Sequence, residues 1–426
     1  MRHQVSLGQL LDRVDLALDG AGRPKAKHFT RKRALTIPVM VGMLLTMVSD
    51  AGRLGYRYLL HQFWITAKSI RFPLFQELPA DSSAFCRARQ KLPWQFLQAL
   101  FLDVAAKFET KFGKQLRWKG RRILAADGVK LTLPRNDGLD RAFGRPKRAL
   151  RPMIAVVTIF DVLARVTIGV AFGRYASGER TLLAETLRRV PVGSILLLDR
   201  GFPGFALLSD IAKGGIDFVA RAPRTFGAVK RFLKTGRARG TITLVRRKDR
   251  ATSVPETLKL RIERVPNGKE ELVLVTTLSC QVASRGEVVR LYLSRLDVET
   301  EFRVLKISGF GEDCFHSRTA AGIKQEVCAR LLFLNFARSL LAEAAARAGR
   351  PITDLAPKSA QAMLGHTEVI LLMTFRLPRA AQLLAFALDL IARSRAEQRR
   401  GRHFPRVSNK SKPKWGPHGR TGRWND

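Results

Sequence analysis

Between residues 122 and 221 the chain alternates short β-branched apolar runs with amphipathic stretches, and this order restricts the fold more than any other feature. RILAADGVKLTLP (122–134), PMIAVVTIFDV (152–162) and ARVTIGVAF (164–172) are rich in Val, Ile and Thr and closely connected, so they are expected as strands. GERTLLAETLRRV (178–190) carries helical apolar spacing. SILLLDRGF (194–202) is the unbroken apolar run of a buried strand, FALLSDIAKGG (205–215) is helical, and DFVAR (217–221) is a further strand. The order β-β-β-α-β-α-β predicts an α/β fold, with Asp127 at or near the end of the first strand and Asp199 at the end of the fourth.

The flanks differ in kind. Residues 1–115 read as a helical domain, with QLLDRVDLAL, IPVMVGMLLTMV, LLHQFWITAKSI and WQFLQALFLDVAAKF as its helices. Within it, SSAFCRARQKLPWQFLQALF (82–101) reads as two helices broken at Pro93, with Arg87, Arg89 and Lys91 before the break. That pair can lay cations on a phosphate backbone, or simply present a solvated basic face. Residues 223–289, with GTITLVRR, ETLKLRIERV and ELVLVTTLS, read as a β-rich insertion between core segments 116–222 and 290–345. A helical region follows at 346–392, and 393–426 is a basic tail with few apolar residues, expected to be disordered on its own.

Charge narrows the function. Lys and Arg number 76 against 35 Asp and Glu, a formal net charge of +41. Such a chain binds polyanions indiscriminately, which does not suit an enzyme of small metabolites. Nucleic acid is the expected partner, because each cation that meets a phosphate releases a condensed counterion. A membrane partner is not expected: the longest apolar run, ALTIPVMVGMLLTMV, has 15 residues, short of the ~20 that span a bilayer. No charged-then-apolar leader opens the sequence, so a cytoplasmic location is expected. Cys86, Cys280, Cys314 and Cys328 are scattered with no CxxC, and Cys314-x-His316 is only half of a zinc site.

YLSRLDVETEFRVLK (292–306) supplies an unusual stripe. At ~100° per residue, Arg295, Glu299 and Lys306 all fall within about 60° of Tyr292. Leu291, Val298, Phe302 and Leu305 lie alongside as an apolar edge. A helix of this kind carries its polar groups next to the core and into a cleft. The other reading is a solvated face with Arg295 and Glu299 as an i,i+4 pair, contributing ~0.2–0.5 kcal/mol.

Asp127 and Asp199 sit among apolar strand residues in a chain poor in acids. A buried carboxylate without a partner is costly, so each must face a cation, a metal or a cleft. Asp161 and Glu179 fit structural roles instead, in a turn and at a helix N-terminus.

Asp127-Gly128, Asp199-Arg200-Gly201-Phe202 and the Y-x2-R-x3-E-x6-K spacing of Tyr292, Arg295, Glu299 and Lys306 resemble the DDE transposases of bacterial insertion sequences, in the group defined by that YREK motif. SSAFCRARQKL (82–92) is similar to the N-terminal region of that group, and CFHSRTAAGIKQEVCARLLFLNFARSLL (314–341) to the helix after its catalytic Glu. The resemblance implies a ribonuclease-H-like mixed sheet flanked by helices, with Asp127, Asp199 and Glu299 as catalytic acids and metal ligands. It implies two Mg²⁺ ions, with Mn²⁺ as a substitute, about 3.5–4 Å apart and acting by in-line displacement at a phosphodiester. Tyr292, Arg295, Lys306 and Arg200 are then expected on DNA phosphates, with Arg87, Arg89 and Lys91 contacting the duplex. The expected partners are terminal inverted repeats and target DNA in the bacterial nucleoid, held by a homodimer. A two-metal nuclease without strand transfer and an inactive DNA-binding repressor are the alternatives.

Overall fold

The structure is a computed structural model, which describes residues 24, 28–29, 34–49, 55–72, 74–147, 149–246, 256–267, 270–303, 315–366 and 380–396. The side chains of residues 267, 270, 296–303 and 380–381 lie outside that description. So do the 9–18 helix expected at the N-terminus and the basic tail beyond residue 396.

Eight strands among the described residues form one mixed sheet in the order β3-β2-β1-β4-β5-β8-β7-β6. β1 (Ile123–Thr132), β2 (Met153–Asp161) and β3 (Val166–Arg174) make an antiparallel meander. β4 (Ile195–Leu198) and β5 (Asp217–Arg221) then add in parallel to β1. β6 (Arg239–Val245), β7 (Thr257–Asn267) and β8 (Glu270–Thr276) occupy the expected insertion, but they do not form a separate sheet. β8 pairs antiparallel with β5, so the insertion extends the central sheet.

Helices cover both faces. One core layer joins Ile123, Ala125, Ile195 and Leu197 of the sheet to α1 (Ile37–Ser49), α2 (Tyr56–Ser69), α4 (Trp94–Phe112), α9 (Arg285–Arg303) and α10 (Ala320–Arg347). α3 (Ser82–Lys91) and α5 (Asp137–Phe143) add Phe85, Leu139 and Phe143 to it. Leu124, Ala126, Leu196 and Leu198 point the other way, onto α6 (Glu179–Thr186), α7 (Phe205–Lys213) and α8 (Gly227–Lys234). This is the two-sided burial that a continuous apolar strand such as ILLL requires. The chain closes with α11 (Pro357–Gly365) and α12 (Ala380–Arg393).

The change near residue 115 is one of secondary structure, because the helices before it share a core layer with β1, β4 and α10. α10 is buried along most of its length, Gln325, Glu326, Arg330, Asn335 and Arg338 included, so these polar side chains must find partners inside the protein. Its one interior Asn has a definite task. Asn335 Oδ1 accepts from Thr167 N at 2.9 Å and its Nδ2 donates to Thr167 O at 3.0 Å. A side-chain amide thus takes up both backbone groups of Thr167 on β3, an edge strand of the sheet. No helix among the described residues is long and apolar enough to cross a membrane.

Candidate active site

β1 and β4 run parallel with Ala126 opposite Leu198, so Asp127 and Asp199 occupy the next step of the same register. Their positions differ from the expectation in one respect. Asp127 is not at a strand end: β1 continues to Thr132 and pairs Asp127 with Thr158 of β2. It is β4 that stops, at Leu198, so Asp199 opens the following loop. The long strand thus offers a carboxylate at the point where its neighbour falls away. Residues at alternate positions share a face, which puts both acids on the side of Ile123, Ala125, Ile195 and Leu197, the layer that also contains Val288, Leu291 and Tyr292 of α9.

α9 crosses that face with its start tied down. Ser284 Oγ accepts from Glu287 N at 3.3 Å, while Glu287 Oε2 accepts from Ser284 N at 2.8 Å, a capping box. Lys119 Nζ lies 2.8 Å from Glu287 Oε1. The ion pair and the Ser284 bonds hold the Glu287 carboxyl down at about 2. Ser284-x-x-Glu287 is a helix-start signature legible in the sequence.

Two turns on, Tyr292 Oη donates to Asp199 Oδ1 at 3.2 Å, and Arg295 Nη2 lies 3.7 Å from the same oxygen. The Arg295 guanidinium also stands 5.6 Å from the centre of the Tyr292 ring. Tyr292 and Arg295 are 5% and 6% exposed, whereas the Asp199 side chain is 42% exposed. A buried cation and a buried phenol therefore point outward at a carboxylate in the mouth of the site, and their polar ends do not face open solvent. Burial pushes the Tyr292 phenol up to about 12, so at neutral pH it is a neutral donor to Asp199. The Asp127 carboxylate accepts from the Gly128 amide at 2.9 Å.

A further acid stands behind this pair, on the other face. A Cβ on Gly128 would lie 2.5 Å from Glu179 Oε1, and one on Gly201 would lie 3.5 Å from Glu179 Oε2. Gly128 thus makes room for the first side chain of α6, while a Cβ on Gly201 would be in ordinary contact with it. Arg180, its neighbour, donates from Nε to Gly201 O at 3.0 Å, which braces the loop leaving Asp199. Asp161 fills the turn role expected of it: Oδ1 accepts from Ala164 N at 3.0 Å and Oδ2 from Arg122 Nε at 2.8 Å.

Glu299 falls within α9, two turns beyond Tyr292, but its side chain lies outside the described residues, and Lys306 lies outside them entirely. Arg87, Lys91 and Arg200 are exposed. Arg89 is not. It is 4% exposed, and its guanidinium meets Glu326 Oε1 at 3.0 Å and Tyr56 Oη at 2.6 Å. Helix geometry explains the error. Arg87 and Lys91 are four residues apart and share a face, while Arg89 is ~200° from Arg87 and faces the core. His316 is half-buried, with its backbone N–H on Glu326 Oε2 at 3.0 Å.

Among the described residues no group of three or more His, Cys, Asp or Glu side chains is placed to hold a metal ion. Asp127 and Asp199 offer hard carboxylate oxygens, the donor type that Mg²⁺ and Mn²⁺ take.

The family model Transposase DDE domain matches residues 118–336. Transposase InsG for insertion sequence element IS4, from Escherichia coli K12, is 24% identical over 286 residues, which cover 65% of this chain and 63% of that protein. A cryo-EM structure of the piggyBac transposase synaptic complex with hairpin DNA aligns over 92% of this chain and 83% of its own at 11% identity, with a TM-score of 0.39.

Proposed function

The chain belongs to the Transposase DDE domain family, and from that premise we propose that it binds the terminal inverted repeats of an insertion sequence, cuts DNA strands there and joins them to target DNA. One observation carries the reading: Asp127 on β1 and Asp199, the first residue past β4, directly follow the last registered pair of these adjacent parallel strands, Ala126 and Leu198, beneath the helix that bears Glu299. The order β3-β2-β1-β4-β5, three strands antiparallel and two parallel, supports a ribonuclease-H-like core with β6 to β8 as its insertion. Helical spacing supports the third acid, since seven residues from Tyr292 is close to two turns and returns Glu299 to the same stripe.

Asp127, Asp199 and Glu299 would hold divalent metal, Mg²⁺ or Mn²⁺. When bound, such ions supply Lewis-acid stabilisation of the charge that builds on phosphodiester oxygens. The protein's own groups do the positioning. Tyr292 and Arg295 fix one oxygen of Asp199, and a phosphate that reaches Asp199 comes within range of both. Arg295 suits a bidentate grip and Lys306 a point charge. Arg200, Arg87 and Lys91 are exposed and available to DNA phosphates. In this reading the helices within 1–115 recognise the repeats, residues 116–222 and 290–345 catalyse, and two copies hold paired ends.

The test is cleavage of repeat-ended DNA by purified protein in Mg²⁺. Asp199→Ala and Glu299→Gln are expected to lower the rate by on the order of 10³-fold, or ~4 kcal/mol of barrier, with repeat binding retained. Full cleavage by Glu299→Gln overturns the assignment. Joining of pre-cut ends separates transposition from plain nuclease action.

A further inference from the structure

The connection from β1 to β2 leaves the sheet at the end where β4 has fallen away. β1 closes at Thr132 opposite Met153, and β3 closes beside them at Arg174, opposite Ile154. Between the first two strands, residues 133–152 hold six Lys or Arg and two Asp. The connection is firmly anchored. Asn136 Oδ1 accepts from Leu139 N at 3.1 Å and starts α5. Leu139 and Phe143 are buried in the same core layer as Tyr292, on the Asp127 side of the sheet. Gly144, at φ +76°, turns the chain back, and its carbonyl accepts from Met153 N at 3.0 Å. Phe143 O accepts from Tyr175 N at 2.7 Å, which ties α5 to the end of β3.

On this footing four arginines gather. Arg135 and Arg141 belong to the connection, Arg174 ends β3, and Arg318 lies just before α10. Arg174 Nη1 donates to Arg141 O at 3.2 Å, and Arg318 Nη1 donates to Arg135 O at 3.3 Å. All four are exposed. Asp140 pairs with Arg145 at 3.3 Å, and the four make no ion pair among the described residues. Neutral carbonyls thus hold like charges together, and the self-repulsion this creates is what a polyanion relieves. A guanidinium carries five N–H donors, so Arg174 and Arg318 keep most of theirs for phosphate oxygens.

β1 runs on from Asp127 to Thr132, which is roughly 17 Å at about 3.4 Å per residue. A duplex also rises about 3.4 Å per base pair, so the strand end stands about five base pairs from Asp127. We propose that Arg135, Arg141, Arg174 and Arg318 form a platform for the phosphate backbone of the duplex being cut, about five base pairs from the scissile phosphate. The inference rests on the DNA-cutting reading of Asp127 and Asp199. It gives the duplex a path, along β1 and across α5, and fixes its angle of approach without reading its sequence.

The experiment uses the full-length chain and a duplex spanning the repeat end, without divalent metal so that nothing is cut. Methylphosphonates, each of which removes one phosphate charge, are placed singly on either side of the cleavage position. One set about five base pairs from the cut lowers the parent's slope of log affinity against log salt by about 0.9. The side on which this occurs tells whether the platform holds repeat or flanking DNA. Arg141→Gln with Arg318→Gln lowers the slope by about 1.8 and shrinks that methylphosphonate effect. On a duplex that ends short of that distance, parent and variant bind alike. The methylphosphonate scan uses the parent chain, so it stands whatever the variant's folding. Interference confined to positions beside the cut, an unchanged slope in the folded variant, or equal methylphosphonate losses in both proteins overturns the inference while the transposase reading stands. Absence of repeat-duplex binding by the parent overturns both.

Discussion

Replacing Glu326 with Gln tests how the N-terminal helices are held to the rest of the protein. Glu326 is 1% exposed and accepts from Arg89 Nη2 at 3.0 Å, His316 N at 3.0 Å and Ser317 N at 2.8 Å. Arg89, on α3, is itself 4% exposed. Gln keeps the volume and one acceptor oxygen but removes the charge, leaving a guanidinium buried without its counter-ion. Breaking a buried pair in this way costs ~3–5 kcal/mol, and the retained acceptor places this case near ~3 kcal/mol. Net stabilities are ~5–15 kcal/mol, so the loss is a large fraction. At ~2–4 °C per kcal/mol the melting temperature should fall by about 6–12 °C, read by circular dichroism. Arg89→Met combined with Glu326→Gln removes the stranded cation but leaves one of the two amides, Ser317 N on Oε1 or His316 N on Oε2, facing an NH₂ donor, so it should recover only part of the loss. The reasoning is refuted if Glu326→Gln stays within ~0.5 kcal/mol of the parent, or if Arg89→Gln lowers the salt slope of DNA binding as a surface phosphate contact would.

Two further outcomes are expected. Burial raises Tyr292 from 10.0 to about 12, so above pH 10 the unfolded chain gives up this proton first; its share of stability is complete below pH 10 and is lost between pH 10 and about 12. Tyr292→Phe should flatten that alkaline fall in the urea midpoint, and an unchanged profile contradicts the burial argument. Arg87→Gln with Lys91→Gln should lower the magnitude of the salt slope for repeat duplex by about 0.9 for each phosphate left unneutralised, without changing the melting temperature by more than ~1 °C. An unchanged slope removes α3 from the DNA surface.

Much of the architecture could be read from local pattern, because strands buried on both faces must be continuously apolar and those segments stand out. β5 occupies Asp217–Arg221 as expected, and the other core strands lie within their expected stretches or shift by two residues. β4 is shorter than SILLLDRGF suggested, because the chain turns away at Asp199. α8 is not among the expected elements: GAVKRFLK forms a short amphipathic helix between Pro223 and Gly236, in a stretch whose flanks carry the stronger strand pattern. The stripe on α9 was legible as far as Tyr292 and Arg295, which do lie beside the core and reach one carboxylate.

What local pattern could not supply was pairing across the chain. Arg89 finds Glu326 237 residues away, and nothing in SSAFCRARQK distinguishes a core cation from a surface one except its turn of the helix. The cluster of Arg135, Arg141, Arg174 and Arg318 is drawn from separate elements, so only folding assembles it.

The most direct test of the account is a crystal structure of the full chain soaked in Mn²⁺, with anomalous density used to place the metal. The account predicts metal with oxygens of Asp127, Asp199 and Glu299 in its coordination shell, at roughly 2.0–2.3 Å, and loss of that density in Glu299→Gln. Metal bound elsewhere, or a Glu299 carboxylate turned away from both aspartates in the metal-soaked crystal, would contradict it.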